Sequence, residues 1–402
     1  MKVGALDART AAAPFRSTAF RRYVAGQLPS VSCSWAQVVA LAWVVVQLDP
    51  RSLGWVVACQ FLPSLLLGPW FGAVVDRHDR RRALMLAEAG LGLVAVGYAA
   101  AAATGNLTLP VIYLLASVWG VLNALDTPAR QSLVPLLVSP ERAGSAAGLT
   151  GTVMVLGMTI GTAVGAVLIA TVGVTATFAV NAASFFADVV ILATIRGRPA
   201  PRVERAPRQI REGLGYVGST PRLRAAMLAL AIIATFAFTI NVSVPLLARQ
   251  SFAGGATLIG TLFTAVTAGC LVGTLAYAAR GGYGPTTLTR TALGMAVAQL
   301  AIAVAPHPLL AMVGLAGVGF AWTYLIGAVV TMLQSARPEL MGRVMSLFAV
   351  VLLGGTTIGA PLTTALVAIA GSRAPFALGV GAAVVAAATV RLRTGIRLKE
   401  YA

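Results

Sequence analysis

Only 12 carboxylates are spread over the 402 residues, and two of them, Glu88 and Asp188, fall inside long apolar runs where an ionised group is costly. An acid so placed can take up and release a proton, which points to proton traffic through a low-dielectric interior. Each also lies about two turns from the end of its run, so a side chain that reaches the interface or pairs with a loop arginine competes with that reading. A third acid, Asp126, opens the run Asp126-Thr127-Pro128-Ala129-Arg130-Gln131. Asp126 or Thr127 in that order can N-cap a short helix begun by Pro128. Hydrolytic, phosphate-binding and metal chemistry find no residues to carry them: G-x-S-x-G, H-E-x-x-H and P-loop patterns are absent, and His78 and His307 stand alone in separate loops. Cys33, Cys59 and Cys270 lie in apolar segments without C-x-x-C spacing and read as small packing residues.

The elements that must position these acids are set by composition. Hydrophobic residues make up 58% of the chain and charged residues 10%, against about 25% charged in soluble domains. Dividing the chain at Gly, Pro and charged breaks predicts twelve membrane-spanning helices, near 21–48, 53–75, 83–104, 109–126, 144–170, 174–195, 224–248, 256–279, 286–305, 308–333, 342–370 and 375–391. Only Gly173 separates the fifth from the sixth, and only Pro306-His307-Pro308 the ninth from the tenth. The first apolar stretch is too long for a signal peptide's apolar core, so the start is expected to be retained.

The net charge of +18 would suggest a nucleic-acid partner in a soluble protein. Here the basic residues cluster in alternate loops, and the other loops keep only Arg51, Arg249 and Arg373. That asymmetry predicts both termini in the cytoplasm and no nucleic-acid role. The polar stretch from Arg196 to Arg224, with Pro199, Pro201 and Pro207 ahead of a short amphipathic helix at 208–217, reads as a cytoplasmic linker at 196–223 between bundles 1–195 and 224–402. At an offset of 198 residues the halves align Gly157 with Gly355, Gly161 with Gly359, Gly173 with Gly371 and Pro140-Glu141 with Pro338-Glu339. This is a six-plus-six parallel repeat.

The loop after the second span reads Gly68-Pro-Trp-Phe-Gly72-Ala-Val-Val-Asp76-Arg77-His-Asp79-Arg80-Arg81-Arg82. Gly68 and Gly72 make a bare strip that lets another helix approach closely. Asp76 sits at the boundary, where it can favour a helix N-terminus, and the arginines remain in water. The loop resembles the signature of the major facilitator superfamily, Gly-x-x-x-Asp-Arg-x-Gly-Arg-Arg, through Gly72, Asp76, Arg77, Arg80 and Arg81, with Asp79 where that family has Gly. Asp126 to Gln131 with Val134-Pro135, Glu212 to Val217, and Leu333-Gln334 with Glu339 and Gly342 to Met345 resemble the subgroup of siderophore exporters and macrolide efflux pumps.

The resemblance implies an all-α fold of twelve transmembrane helices in two bundles. It also implies a cytoplasmic charge cluster of Asp76, Arg77 and Asp126, the last of which the N-cap reading explains equally well, with Arg130 alongside. Glu88 and Asp126 are the candidate proton carriers. The cavity of that family is lined by the first, fourth, seventh and tenth spans, which offers Gln37, Trp43, Trp119, Asn123, Thr239, Asn241, Trp322 and Tyr324. Gly157, Gly161 and Gly165 share one face of the fifth span, with Thr162 where the efflux-associated motif has proline; Gly355, Gly359 and Pro361 partly supply that motif in the eleventh. Tyr277 stands where the second half would repeat Asp76. The expectation is a monomeric secondary transporter in the cell membrane that exports a hydrophobic or amphiphilic small molecule on a proton gradient, with no cofactor and no enzyme activity. An importer or uniporter, or a transport-inactive scaffold or sensor, are the alternatives.

Overall fold

The computed structural model describes residues 13–195, 209–280, 284–337 and 340–394. The linker stretch 196–208, Pro338-Glu339 and both chain ends lie outside the described residues. The long helices are α1 Thr18–Leu48, α2 Leu53–Arg77, α3 Arg80–Ala103, α4 Leu109–Leu133, α5 Ala143–Thr194, α6 Gln209–Ser219, α7 Pro221–Phe236, α8 Ile240–Gln250, α9 Ala256–Arg280, α10 Pro285–Ala303, α11 Pro308–Leu333, α12 Met341–Ala370 and α13 Ala374–Thr394. No strand occurs among the described residues.

Among the described residues, ten segments are long and apolar enough to cross a membrane. One of them contains α5, which turns back on itself at Gly173 and so crosses twice, and α10 covers the ninth predicted span, completing twelve. Leu66, Leu86, Val313 and Ile369 are exposed, an apolar exterior suited to hydrocarbon. The chain is a multi-pass, all-helical membrane protein.

The repeat is visible in backbone angles. Gly173 has φ 83° and ψ 174°, and Gly371 has φ 84° and ψ 169°. Both adopt a conformation that a Cβ disfavours, at matching places in the two halves, so each closes the fifth span of its half and opens the sixth. Packing repeats too. A Cβ on Gly157 would come 2.8 Å from Val31 Cγ1, and one on Gly165 2.7 Å from Ala36 Cα, which pins the first arm of α5 against α1. In the second half a Cβ on Gly355 would come 2.8 Å from Ala234 Cβ, and Gly359 faces the Thr235 carbonyl, which pins α12 against α7. By contrast, a Cβ on Gly68 or Gly72 would meet no described atom within 4 Å.

Two compact units result, one of residues 1–204 with 254–267, the other of 205–253 with 268–402. The seventh span is not one helix. It breaks at Ala237–Thr239 between α7 and α8, where a side chain meets one of the freed backbone carbonyls, as a hydrocarbon setting requires, and a second bond braces a side chain of the break. Gln299 Nε2 donates to the Ala237 carbonyl at 2.5 Å. Thr363 Oγ1 bonds Thr239 Oγ1 at 2.9 Å.

Candidate functional site

One end of the first unit gathers the acids. α4 runs unbroken through Pro128 to Leu133, so Asp126 lies inside a helix; the N-cap reading fails because its backbone already continues the helix. One turn on, Arg130 takes Asp126 side-on, Nη2 to Oδ1 at 2.9 Å and Nε to Oδ2 at 3.2 Å. The same guanidinium donates to Glu88 Oε1 on α3 and to Gln27 Oε1 on α1. Glu88 is fully buried and its partner lies on a helix, so it neither reaches the interface nor pairs with a loop arginine. Asp188, in the second arm of α5, is 1% exposed and faces Gly26 of α1, where a Cβ would overlap its Oδ1. Two carboxylates therefore share one guanidinium, and a third lies buried at the same end with no hydrogen bond to either oxygen.

The surroundings are dry. Phe20, Tyr23, Leu84, Ala129, Leu133 and Leu192 belong to one buried apolar cluster at this end. With little water to screen them, charges here interact strongly, and an excess of one sign is costly. Geometry of this kind can exchange a proton; it offers no nucleophile paired with a base, and no cluster of three metal-ligating side chains occurs among the described residues.

The signature loop does more than stay in water. Arg80 Nη1 donates to the Ser132 carbonyl at 3.5 Å, and Arg81 Nη2 to the Ala193 carbonyl at 2.6 Å, while Arg22 Nη1 reaches the Thr194 carbonyl at 3.2 Å. These arginines answer the unsatisfied carbonyls and negative dipole ends of α4 and α5. Arg77 is exposed and Asp76 half-buried. Asp79, where the family pattern has Gly, N-caps α3, accepting from the backbone N–H of Arg81 at 2.9 Å and of Arg82 at 3.2 Å. Asp79→Ala is therefore expected to lose about 0.5–2 kcal/mol, read as a lower thermal midpoint in detergent. Asp79→Gly, restoring the family residue, loses less. Equal midpoints for Asp79→Ala and the unsubstituted protein would show that the cap contributes nothing.

The cavity candidates disperse. Gln37 accepts from Asn181 Nδ2 at 2.9 Å and is 5% exposed, so helix packing consumes it. Trp119 packs on the buried cluster of Leu91, Ala95, Ala182 and Phe185. Asn123 Nδ2 donates to Ser64 Oγ at 3.4 Å, and Trp43 is half-buried on α1. In the second unit Trp322 and Tyr324 meet other aromatic rings rather than one another. Phe238, in the break of the seventh span, stacks on Trp322 at 3.9 Å with planes 7° apart. Tyr324 meets Tyr277 edge-on at 5.2 Å and Phe320 at 5.7 Å. Tyr277, in place of a second signature Asp, bonds Thr331 Oγ1 at 2.6 Å. Asn241 Oδ1 is buried with no hydrogen-bond partner. Thr162, in place of the motif proline, bonds Thr264 Oγ1 at 3.1 Å and Thr267 Oγ1 at 3.2 Å.

Sequence reading passed over Gln27, Phe238 and Gln299. A Gln inside an apolar span was the available signal for the first and last; Phe238 carried none.

The sequence pattern of a protein family described as transmembrane secretion effector matches residues 9–401, nearly the whole chain. The protein belongs to this family of major facilitator transporters. Among curated relatives of this transporter are the enterobactin exporters EntS of Shigella boydii serotype 18 and Escherichia coli O139:H28. Each is 29% identical over 301 residues, spanning 72% of this chain and 71% of theirs. The fold is shared by a bacterial homologue of the human lysosomal transporter Spinster, with TM-score 0.75 at 15% identity over 96% of this chain and 98% of that one. It is also shared by the human organic anion transporter MFSD10, with TM-score 0.70 at 15% identity over 92% and 99%.

Proposed function

We propose that this transporter exports a hydrophobic or amphiphilic small molecule by alternating access, driven by inward flow of protons through the N-terminal unit. The observation that carries the reading is the buried Glu88–Arg130–Asp126 constellation: two acids and one base in a dry setting, where adding or removing a proton changes which pairings are favourable. Export, rather than uptake, is supported by the relatives named as enterobactin exporters. The stacked Phe238–Trp322 pair, Tyr324 and the unpartnered Asn241 Oδ1 suit a cargo with flat apolar parts and a few donors, and bring no fixed positive charge to it. The excess of basic residues in alternate loops supports a reading in which the cluster's end of the helices and both termini face the cytoplasm, and the proposal takes the protein as a monomer in the cell membrane with no cofactor beyond the proton gradient.

Flux into inside-out membrane vesicles tests this, with enterobactin and ethidium as probes. An acidic vesicle interior is expected to drive accumulation of at least one probe, and a protonophore to abolish it. Glu88→Gln is expected to remove the gradient-driven part. Accumulation of neither probe under any imposed gradient overturns export in favour of the importer or scaffold readings, and full gradient response in Glu88→Gln excludes Glu88 as a carrier.

A further inference from the structure

Asp188 is left out of the ion-paired set. It is 1% exposed, and both of its carboxylate oxygens are buried without a hydrogen-bond partner. The titratable and charged groups that interact electrostatically with it are Tyr23 on α1, Glu88 on α3, and Asp126 and Arg130 on α4. Arg22 and Arg81, the basic residues nearest along that end of α5, are engaged with the Thr194 and Ala193 carbonyls. Arg130, the one cation of the cluster, already holds Asp126 side-on and also binds Glu88 and Gln27. With both paired acids ionised the cluster would already carry one excess negative charge. A second excess charge on Asp188, with no donor to meet it, is the costliest place to put one.

We propose that Asp188 carries the exchanged proton: it is a neutral carboxylic acid in the arrangement seen here, and it gives up its proton when Arg130 turns from the Asp126–Glu88 side toward it. This rests on the proton-coupled reading above. In the release step the Asp188 O–H bond breaks, the proton passes to water on the cytoplasmic side, and the carboxylate left behind takes the guanidinium as counter-ion. Uptake from the other side reverses those steps and returns Arg130 to Asp126 and Glu88. The missing Cβ of Gly26 is what gives the acid its place, because any larger residue would displace the carboxyl group from the α1 face. Gln27, next along α1, is bonded to Arg130, so movement of the guanidinium reaches the helix that packs on the first arm of α5.

Infrared spectra of the full chain in lipid test the protonation without any cargo. At neutral pH the unsubstituted protein is expected to show the carbonyl-stretch band of a buried carboxylic acid, shifted by isotope-labelled aspartate and lost in Asp188→Asn. Absence of that band, or failure of labelled aspartate to move it, overturns the proposal even if Asp188→Asn does not fold. In vesicles with ethidium, Asp188→Asn is expected to lose gradient-driven accumulation and to flatten the pH profile of downhill flux. Gly26→Ala, which keeps the acid but moves it, is expected to shift that pH profile. Unsubstituted protein that accumulates no ethidium and no enterobactin overturns coupled export and this assignment together. Accumulation by Asp188→Asn equal to that of the unsubstituted protein overturns the assignment alone.

Discussion

Arg130→Met is expected to cost about 3–5 kcal/mol of stability, the range for removing one partner of a buried ion pair, and to abolish gradient-driven flux. Methionine keeps much of the apolar stem but leaves Asp126 and Glu88 facing each other without a counter-charge, and takes from Gln27 its donor. Adding Glu88→Gln and Asp126→Asn removes both orphaned charges and is expected to recover most of the lost stability, but none of the coupling. Arg130→Lys should fall between: an ammonium keeps the charge but cannot hold Asp126 side-on while reaching Glu88 and Gln27. Thermal unfolding in detergent and vesicle flux separate the two effects. An Arg130→Met protein as stable as the unsubstituted one would mean that both acids are already neutral and that the guanidinium is not their counter-ion.

Much of the architecture was legible because hydrocarbon thickness and backbone saturation constrain sequence directly. The tenth predicted span begins at 308, and α11 begins at Pro308, after His307 accepts from the Leu309 N–H as N-cap. Gly173 and Gly371 mark turns that need a positive φ, and both were found by their alignment. The broken seventh span was not legible. No glycine or proline lies between Phe236 and Ile240, and Pro245 sits inside α8, so the break depends on Gln299 and Thr363, which are distant in sequence. The site divides the same way. Asp126 with Arg130 is an i,i+4 pair and could be read from spacing. Glu88 with Arg130 spans 42 positions, and Asp188 against Gly26 spans far more. Hydropathy marks an acid in a span as costly but does not say what faces it. The same limit applies to Gln37 and Trp119, polar or aromatic side chains on cavity-type spans whose contacts belong to helix packing.

Two glycines of the same motif type should behave oppositely. A Cβ on Gly161 would press on the Ser32 backbone, 2.8 Å from its carbonyl carbon and 2.9 Å from Cα, and backbone cannot yield as a flexible side chain does. Gly161→Ala is expected to cost about 1–3 kcal/mol, and Gly161→Leu to prevent assembly of α1 with α5. Gly72→Leu adds its side chain where no described atom lies within 4 Å, so the thermal midpoint should not move. Its flux is nevertheless expected to fall severalfold. In the alternating-access cycle proposed above, transitions exchange one set of close helix contacts for another rather than deforming a single set. A glycine strip left open in one state is then the surface that closes in the other, where a leucine would not fit. Thermal midpoints and vesicle flux for Gly161→Ala, Gly161→Leu and Gly72→Leu test the contrast. Full flux in Gly72→Leu would place that face outside the moving contacts, and would leave the signature loop the single role of anchoring helix ends through Arg80 and Arg81.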